Sequence, residues 1–146
     1  MKDIYDLDRF KRAQFAIYEQ ALAEIKAGRK RSHWIWYIFP QIAGLGTSFR
    51  SQQFAIKSLD EAKAYLEDEK LREHLEEICG ALLKLDSNDA VQIMGDIDAM
   101  KLKSSMTLFD AASQKQDNIY NKVLAKFFDG EKDEKTLNVL NILNKI

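Results

Sequence analysis

The stretch Ser32-His33-Trp34-Ile35-Trp36-Tyr37-Ile38-Phe39-Pro40-Gln41-Ile42-Ala43-Gly44-Leu45-Gly46-Thr47-Ser48 decides how the chain reads. It holds both tryptophans, one of two histidines, the only proline and two of six glycines. His33 to Phe39 is short and apolar nearly all round, a pattern shared by a buried strand and a buried helical turn. Pro40 follows it and helical periodicity flanks it, so it reads as one or two buried helical turns. Gln41 to Ser48 reads as loop, where the glycines let backbone approach a neighbour closely.

Outward from this segment the signal is helical. Phe10, Gln14, Ile17, Ala21 and Ile25 recur at helical spacing from Asp8 to Ala27, with Asp6 or Asp8 as cap and Gly28 as stop. Ser58-Leu59-Asp60-Glu61 has the form of a capping box opening a helix through Leu66. Asp68 to Leu85 repeats the period through Leu71, Leu75, Ile78 and Leu82. Ser87 is expected to cap a short helix ending at Gly95. Asp96 or Asp98 opens a helix to about Ser113, with Met106, Leu108 and Phe109 inward. Asp117 starts Ile119–Phe128, which stops near Gly130. Asp133 starts the last helix, with Leu137, Leu140 and Ile142 or Leu143 inward. The expectation is an all-α single domain, residues 1–146, of seven to nine helices.

Composition excludes several function classes. With 46% hydrophobic and 31% charged residues, the chain is that of an ordinary globular protein. A net charge of −1 supplies no basic field for nucleic acid or an anionic membrane. One cysteine, Cys79, allows neither an internal disulfide nor a cysteine zinc site. It is expected on a buried helix face. No metal or cofactor motif is present. The start lacks the apolar core of a signal peptide and no apolar run suits a membrane span, so a cytoplasmic protein is expected.

The string Gly28-Arg29-Lys30-Arg31-Ser32-His33-Trp34-Ile35-Trp36-Tyr37-Ile38-Phe39-Pro40-Gln41, followed by Gly44-Leu45-Gly46, resembles the hallmark of an uncharacterised bacterial family, domain of unknown function 1810. Tyr5-Asp6-Leu7-Asp8-Arg9-Phe10 resembles its opening. Ala55-Ile56, Glu61-Ala62 and Tyr65-Leu66 resemble its middle. Asp98, Lys101-Leu102 and Ser104-Ser105-Met106-Thr107-Leu108-Phe109 resemble its late signature. The resemblance implies a small, mainly helical domain and no established activity. The "calpastatin" label carried by some members does not suit a chain this hydrophobic. Three positions depart from the family pattern: Asp68-Glu69 stands where a His-Pro pair is common, Met94-Gly95 for Phe-Gly, and Phe54 for a tyrosine.

Four clusters could carry chemistry. His33 carries the one imidazole of the aromatic segment and is a candidate acid or base, or else a loop anchor. His74, in a charged helix, is expected to face solvent. Trp34 and Trp36 lie about 200° apart on a helix; they form either a stacking surface for a flat ligand or core. Gln41, Gly44, Gly46 and Ser48 offer backbone donors or are plain loop. Lys101, Ser104 and Ser105 share a helix face, with Thr107 nearby, and would suit an anionic group; the bland alternative is close helix packing by small hydroxyl residues. Arg29-Lys30-Arg31 reads as helix-dipole complement rather than a nucleic-acid site. The leading expectation is a pocket between His33–Ser48 and Lys101–Thr107 for a small, anionic, nucleotide-like ligand. Metal-free transfer or hydrolysis through His33 is the possible chemistry. The alternative is a protein-interaction module with a structural aromatic core.

Overall fold

Phe10, Gln14, Tyr18, Ala21, Leu22 and Ile25 form one buried stripe along α1 (Asp8–Lys26) in the computed structural model, which describes residues 3–144, with side chains described for 3–141. Gly28 ends the helix at φ +83°, a backbone conformation that favours glycine. After it the aromatic segment makes one turn, α2 (Ile35–Ile38), whose Ile35, Tyr37 and Ile38 are buried. The segment pairs with no strand. The following loop makes one isolated parallel bridge, Ile42 to Ile56, through Ala43 N–H to the Ile56 carbonyl and Ile56 N–H to the Gln41 carbonyl.

The remaining described helices are α3 (Phe49–Gln53), α4 (Leu59–Glu67), α5 (Glu69–Leu83), α6 (Ala90–Met94), α7 (Asp96–Ala112), α8 (Ile119–Phe128) and α9 (Glu134–Asn144). Their sum, nine helices among the described residues, gives an all-α architecture. α7 is its axis, packed against α2, α4, α6, α8 and α9. From Ser104 to Phe109 every residue of α7 is buried, so no polar face remains. Ser104, Ser105 and Thr107 fit because they are small. Ser104 donates to the Met100 carbonyl and Thr107 to the Lys103 carbonyl, satisfying their hydroxyls within the helix. Thr107 also accepts the Asp133 backbone N–H and so ties the start of α9 to the axis.

The caps follow local chemistry, with shifts. Ser58 accepts the Glu61 amide, but Glu61 turns to the Lys57 N–H rather than closing the reciprocal box. Its other oxygen pairs with Arg9 at 2.8 Å, with Glu61 1% exposed. Arg9 also donates to the carbonyls of Tyr5, Asp6, Gln53 and Ala55, so this buried guanidinium holds the amino-terminal turn and the loop after α3 together. Asp89, not Ser87, caps α6; Ser87 instead accepts the Asp89 N–H. Gly95 precedes α7, and Asn118 rather than Asp117 caps α8. Asp133 does cap α9 through the Thr136 amide.

Two expected placements are corrected. Leu137 is 39% exposed, because Thr136 and Leu140, one turn apart, take the inward phase of α9. Ile142 and Leu143 lie outside the residues whose side chains are described. His74 does not face open solvent: its ring stacks on Tyr18 at 3.7 Å and Nδ1 bonds Gln14 Oε1 at 2.8 Å. At the family departures, Asp68 caps α5, while Phe54 and Met94 are core. Among the described residues no helix is long and apolar enough to cross a membrane.

Candidate functional site

The helical turn at α2 sends the two tryptophans apart. Trp34 is fully buried, and its indole N–H donates to Glu24 at 2.9 Å. Glu24 also accepts the backbone N–H groups of Arg31 and Ser32 and the Ser32 hydroxyl. Burial pushes its carboxyl up, but these hydrogen bonds outweigh it and hold the pKa at about 2. Glu24 is thus the anchor that folds the Arg29–Trp34 connection onto α1. Lys30 turns inward as well. Its ammonium pairs with Asp98 at 2.7 Å and lies 4.8 Å from the Trp34 ring centroid, with only 6% of the side chain exposed. The basic run is therefore no continuous surface for a phosphate backbone, and Lys30 acts by pairing rather than by complementing a helix dipole.

Trp36 points the other way and is half-buried. The Lys101 ammonium lies 5.2 Å and the Arg50 guanidinium carbon 5.8 Å from its ring centroid. Its indole N–H is enclosed and has no hydrogen-bond partner among the described residues. Lys101 reaches only Asp98, at 3.8 Å, and Asp98 is already engaged by Lys30. Arg50 makes no ion pair among the described residues. Around these indoles three cations, Lys30, Lys101 and Arg50, stand against two carboxylates, Asp98 and Glu24, so the local field is positive on a chain of net charge −1. Arg50 also touches Tyr37, whose phenol burial pushes up and Arg50 pulls down, with a net rise.

The expected site residues separate into three places. Trp36 and Lys101 meet, although 64 residues of chain lie between them. His33 is exposed; its backbone carbonyl accepts from the Tyr37 hydroxyl at 3.4 Å, and its imidazole makes no hydrogen bond among the described residues. Gln41, Gly44 and Gly46 line a separate small cavity of about 120 Å³ with Ser51 and Lys57. Gly44 is there for its φ of +98°, and Gly46 because an added Cβ would sit 2.6 Å from the Ser51 hydroxyl. Ser48 spends its hydroxyl capping α3. Trp34, Ser104, Ser105 and Thr107 are buried in the core, and we leave them out of the candidate site. Ser105 Oγ is enclosed without a partner among the described residues. Cys79 is fully buried, and burial pushes its thiol up, away from the reactive thiolate.

Arg50 was not legible as a site residue. It lies outside both sequence clusters, and only the chain reversal through the glycine loop brings it over the Trp36 ring. Among the described residues no three His, Cys, Asp or Glu side chains gather as a metal site.

A family model described as "Protein of unknown function (DUF1810)" matches residues 4–140. A solved structure, that of the conserved hypothetical protein Rv1873 from Mycobacterium tuberculosis, is similar at a TM-score of 0.92 and 40% identity, over 95% of this chain and 99% of that one. No curated protein matches.

Proposed function

The chain belongs to the DUF1810 family, and on that premise we propose that it binds a small anionic ligand with a flat part, of the nucleotide or nucleotide-derived class. Trp36 would be the stacking surface, with Arg50 and Lys101 as anion contacts. The observation that carries this reading is the half-buried indole with two under-neutralised cations over it and an unpartnered N–H. Such a cation above a ring face is favourable by about 0.5–2 kcal/mol, so it is held in place before any ligand arrives. A phosphate or carboxylate meeting it forms charge-assisted bonds without first ordering the side chains. A cytoplasmic setting goes with this reading.

Binding, rather than catalysis, is the core of the proposal. Metal-free transfer or hydrolysis would require His33 as acid or base, and no neighbouring side chain orients its imidazole. A second reading, a protein-interaction module, draws support from Val91, Ile97 and Met100, exposed together across α6 and α7.

The test is a thermal-shift screen of nucleoside mono-, di- and triphosphates and inorganic phosphate, followed by tryptophan fluorescence of each hit. A ligand at 100 times its Kd stabilises the fold by about 2.7 kcal/mol. Hits should perturb Trp36 emission and lose affinity in Lys101→Ala and Arg50→Ala. Absence of any hit, or hits indifferent to both substitutions, would remove the proposal.

A further inference from the structure

A second cavity lies on another side of α7, between α4, α5 and the connection from α7 to α8. Its volume is about 310 Å³, at the small end of the range for metabolite sites. Its charges are balanced: Lys63, Arg72 and Lys115 against Glu67, Glu76 and Asp117. Of these six, only Asp117 makes an ion pair among the described residues, with Lys122 at 3.9 Å outside the cavity. Arg72 and Glu76 stand one turn apart on α5, at the spacing that favours pairing, and do not pair. Arg72 is instead braced by one bond, from Nη1 to the Leu66 carbonyl at 2.8 Å, which leaves its other donors free.

Tyr120 supplies the independent observation. It is one of the residues lining this cavity and is only 3% exposed, and its hydroxyl makes no hydrogen bond among the described residues. The hydroxyl is not one of the enclosed polar atoms, so it is left to water and is free to bond a ligand. Burial pushes this phenol up; nearby Glu76 pushes it further and Arg72 pulls it down. The neutral hydroxyl thus sits within the fields of one unpaired cation and one unpaired anion.

We propose that this cavity is a binding site for a free α-amino acid or similarly small zwitterion, its carboxylate on Arg72 and the Tyr120 hydroxyl and its ammonium on Glu76. A dianion would gain nothing from a lining of zero net charge, whereas a molecule carrying both charges one carbon apart satisfies groups that the fold leaves unpaired. Leu66 and Ile119 give its side chain an apolar wall. This site shares no residue with the Trp36 surface and stands or falls separately.

The experiment titrates the full chain with each standard L-amino acid, and with acetate and methylammonium as half-ligands, followed by two-dimensional amide NMR. At least one amino acid should give saturable shifts at Arg72, Ile119 and Tyr120, with both half-ligands about tenfold or more weaker. Tyr120→Phe, which keeps the ring, and Arg72→Gln should each weaken that amino acid about tenfold. Glu76→Gln, at an exposed position that cannot unfold the domain, should weaken the amino acid and leave acetate unchanged. No saturable amino acid, shifts elsewhere, acetate binding as tightly as the amino acid, or affinity unmoved in Tyr120→Phe and Glu76→Gln would each overturn the proposal.

Discussion

Glu24 accepts the indole N–H of Trp34 at 2.9 Å, ten residues further along the chain, and this bond holds the aromatic segment in its buried turn. Because the same carboxylate also accepts two backbone amides, it ties α1 to the connection that positions Trp36.

That role makes Glu24 an acid-sensitive anchor. The folded carboxyl titrates near 2 against an ordinary 4.5, so the folded state releases its proton more readily than the unfolded chain. The stability it contributes is present above pH 4.5 and lost as pH falls from there towards 2, by up to about 3 kcal/mol. Urea melts from pH 7 to pH 3 should show this slope in the natural chain and a clearly shallower one in Glu24→Gln. Equal slopes would mean that Glu24 is not the acid-labile group.

His74 predicts a second pH dependence at a higher range. Gln14 Nε2 donates to the Tyr37 carbonyl and the Tyr65 hydroxyl, so Oε1 faces His74 and Nδ1 carries the proton. Burial, followed by Lys70, lowers the imidazole below its ordinary 6.5. The folded state then binds this proton less readily than the unfolded chain, so its share of stability is present above pH 6.5 and declines as pH falls below it. The His74 ring protons should titrate with a midpoint under 6.5 by NMR; a midpoint above 6.5 contradicts the stacked, half-buried placement.

Gly46 should tolerate no side chain. A Cβ there would meet Ser51 Oγ at 2.6 Å and Ser51 Cβ at 2.7 Å, and the second contact cannot be relieved by a rotamer change. Gly46→Ala should cost about 1–3 kcal/mol, and adding Ser51→Gly should recover part of it. Thermal melts of the single and double variants decide this, and a harmless Gly46→Ala would show that the loop yields.

Lys101 and Trp34 should behave in opposite ways. Lys101 is partly exposed, with one long ion pair and its ammonium over Trp36, so Lys101→Ala should cost no more than about 1 kcal/mol of stability. It should weaken an anionic ligand by about 1.5–3 kcal/mol, roughly tenfold or more. Trp34→Ala removes a fully buried ring and should cost about 3–5 kcal/mol of stability. Denaturant melts beside ligand titrations separate the two. Strong destabilisation by Lys101→Ala with unchanged affinity would make Lys101 a structural residue.

Much of this was legible along the chain, for reasons that are local. Periodic apolar residues, Ser58, Asp133 and Gly28 mark helices through interactions with near neighbours, and these need no knowledge of the rest of the fold. The same locality explains the misplacements. Asp89 and Ser87 have equal capping chemistry, and Leu137 and Thr136 differ by one position in helical phase; only packing against α7 chooses between them.

The sequence by itself determined an all-α chain, a buried helical turn within His33–Phe39 and the identity of the two clusters that include Trp36 and Lys101. Which tryptophan is core, which lysine is buried in a pair and which arginine completes the cationic face were decided by tertiary structure alone. Trp34 goes inside because Glu24 can satisfy its N–H there, Lys30 because Asp98 can neutralise it, and Arg50 reaches Trp36 only after the glycine loop turns the chain back. Each depends on a partner distant in sequence, and burial of a polar group is settled by whether that partner is present.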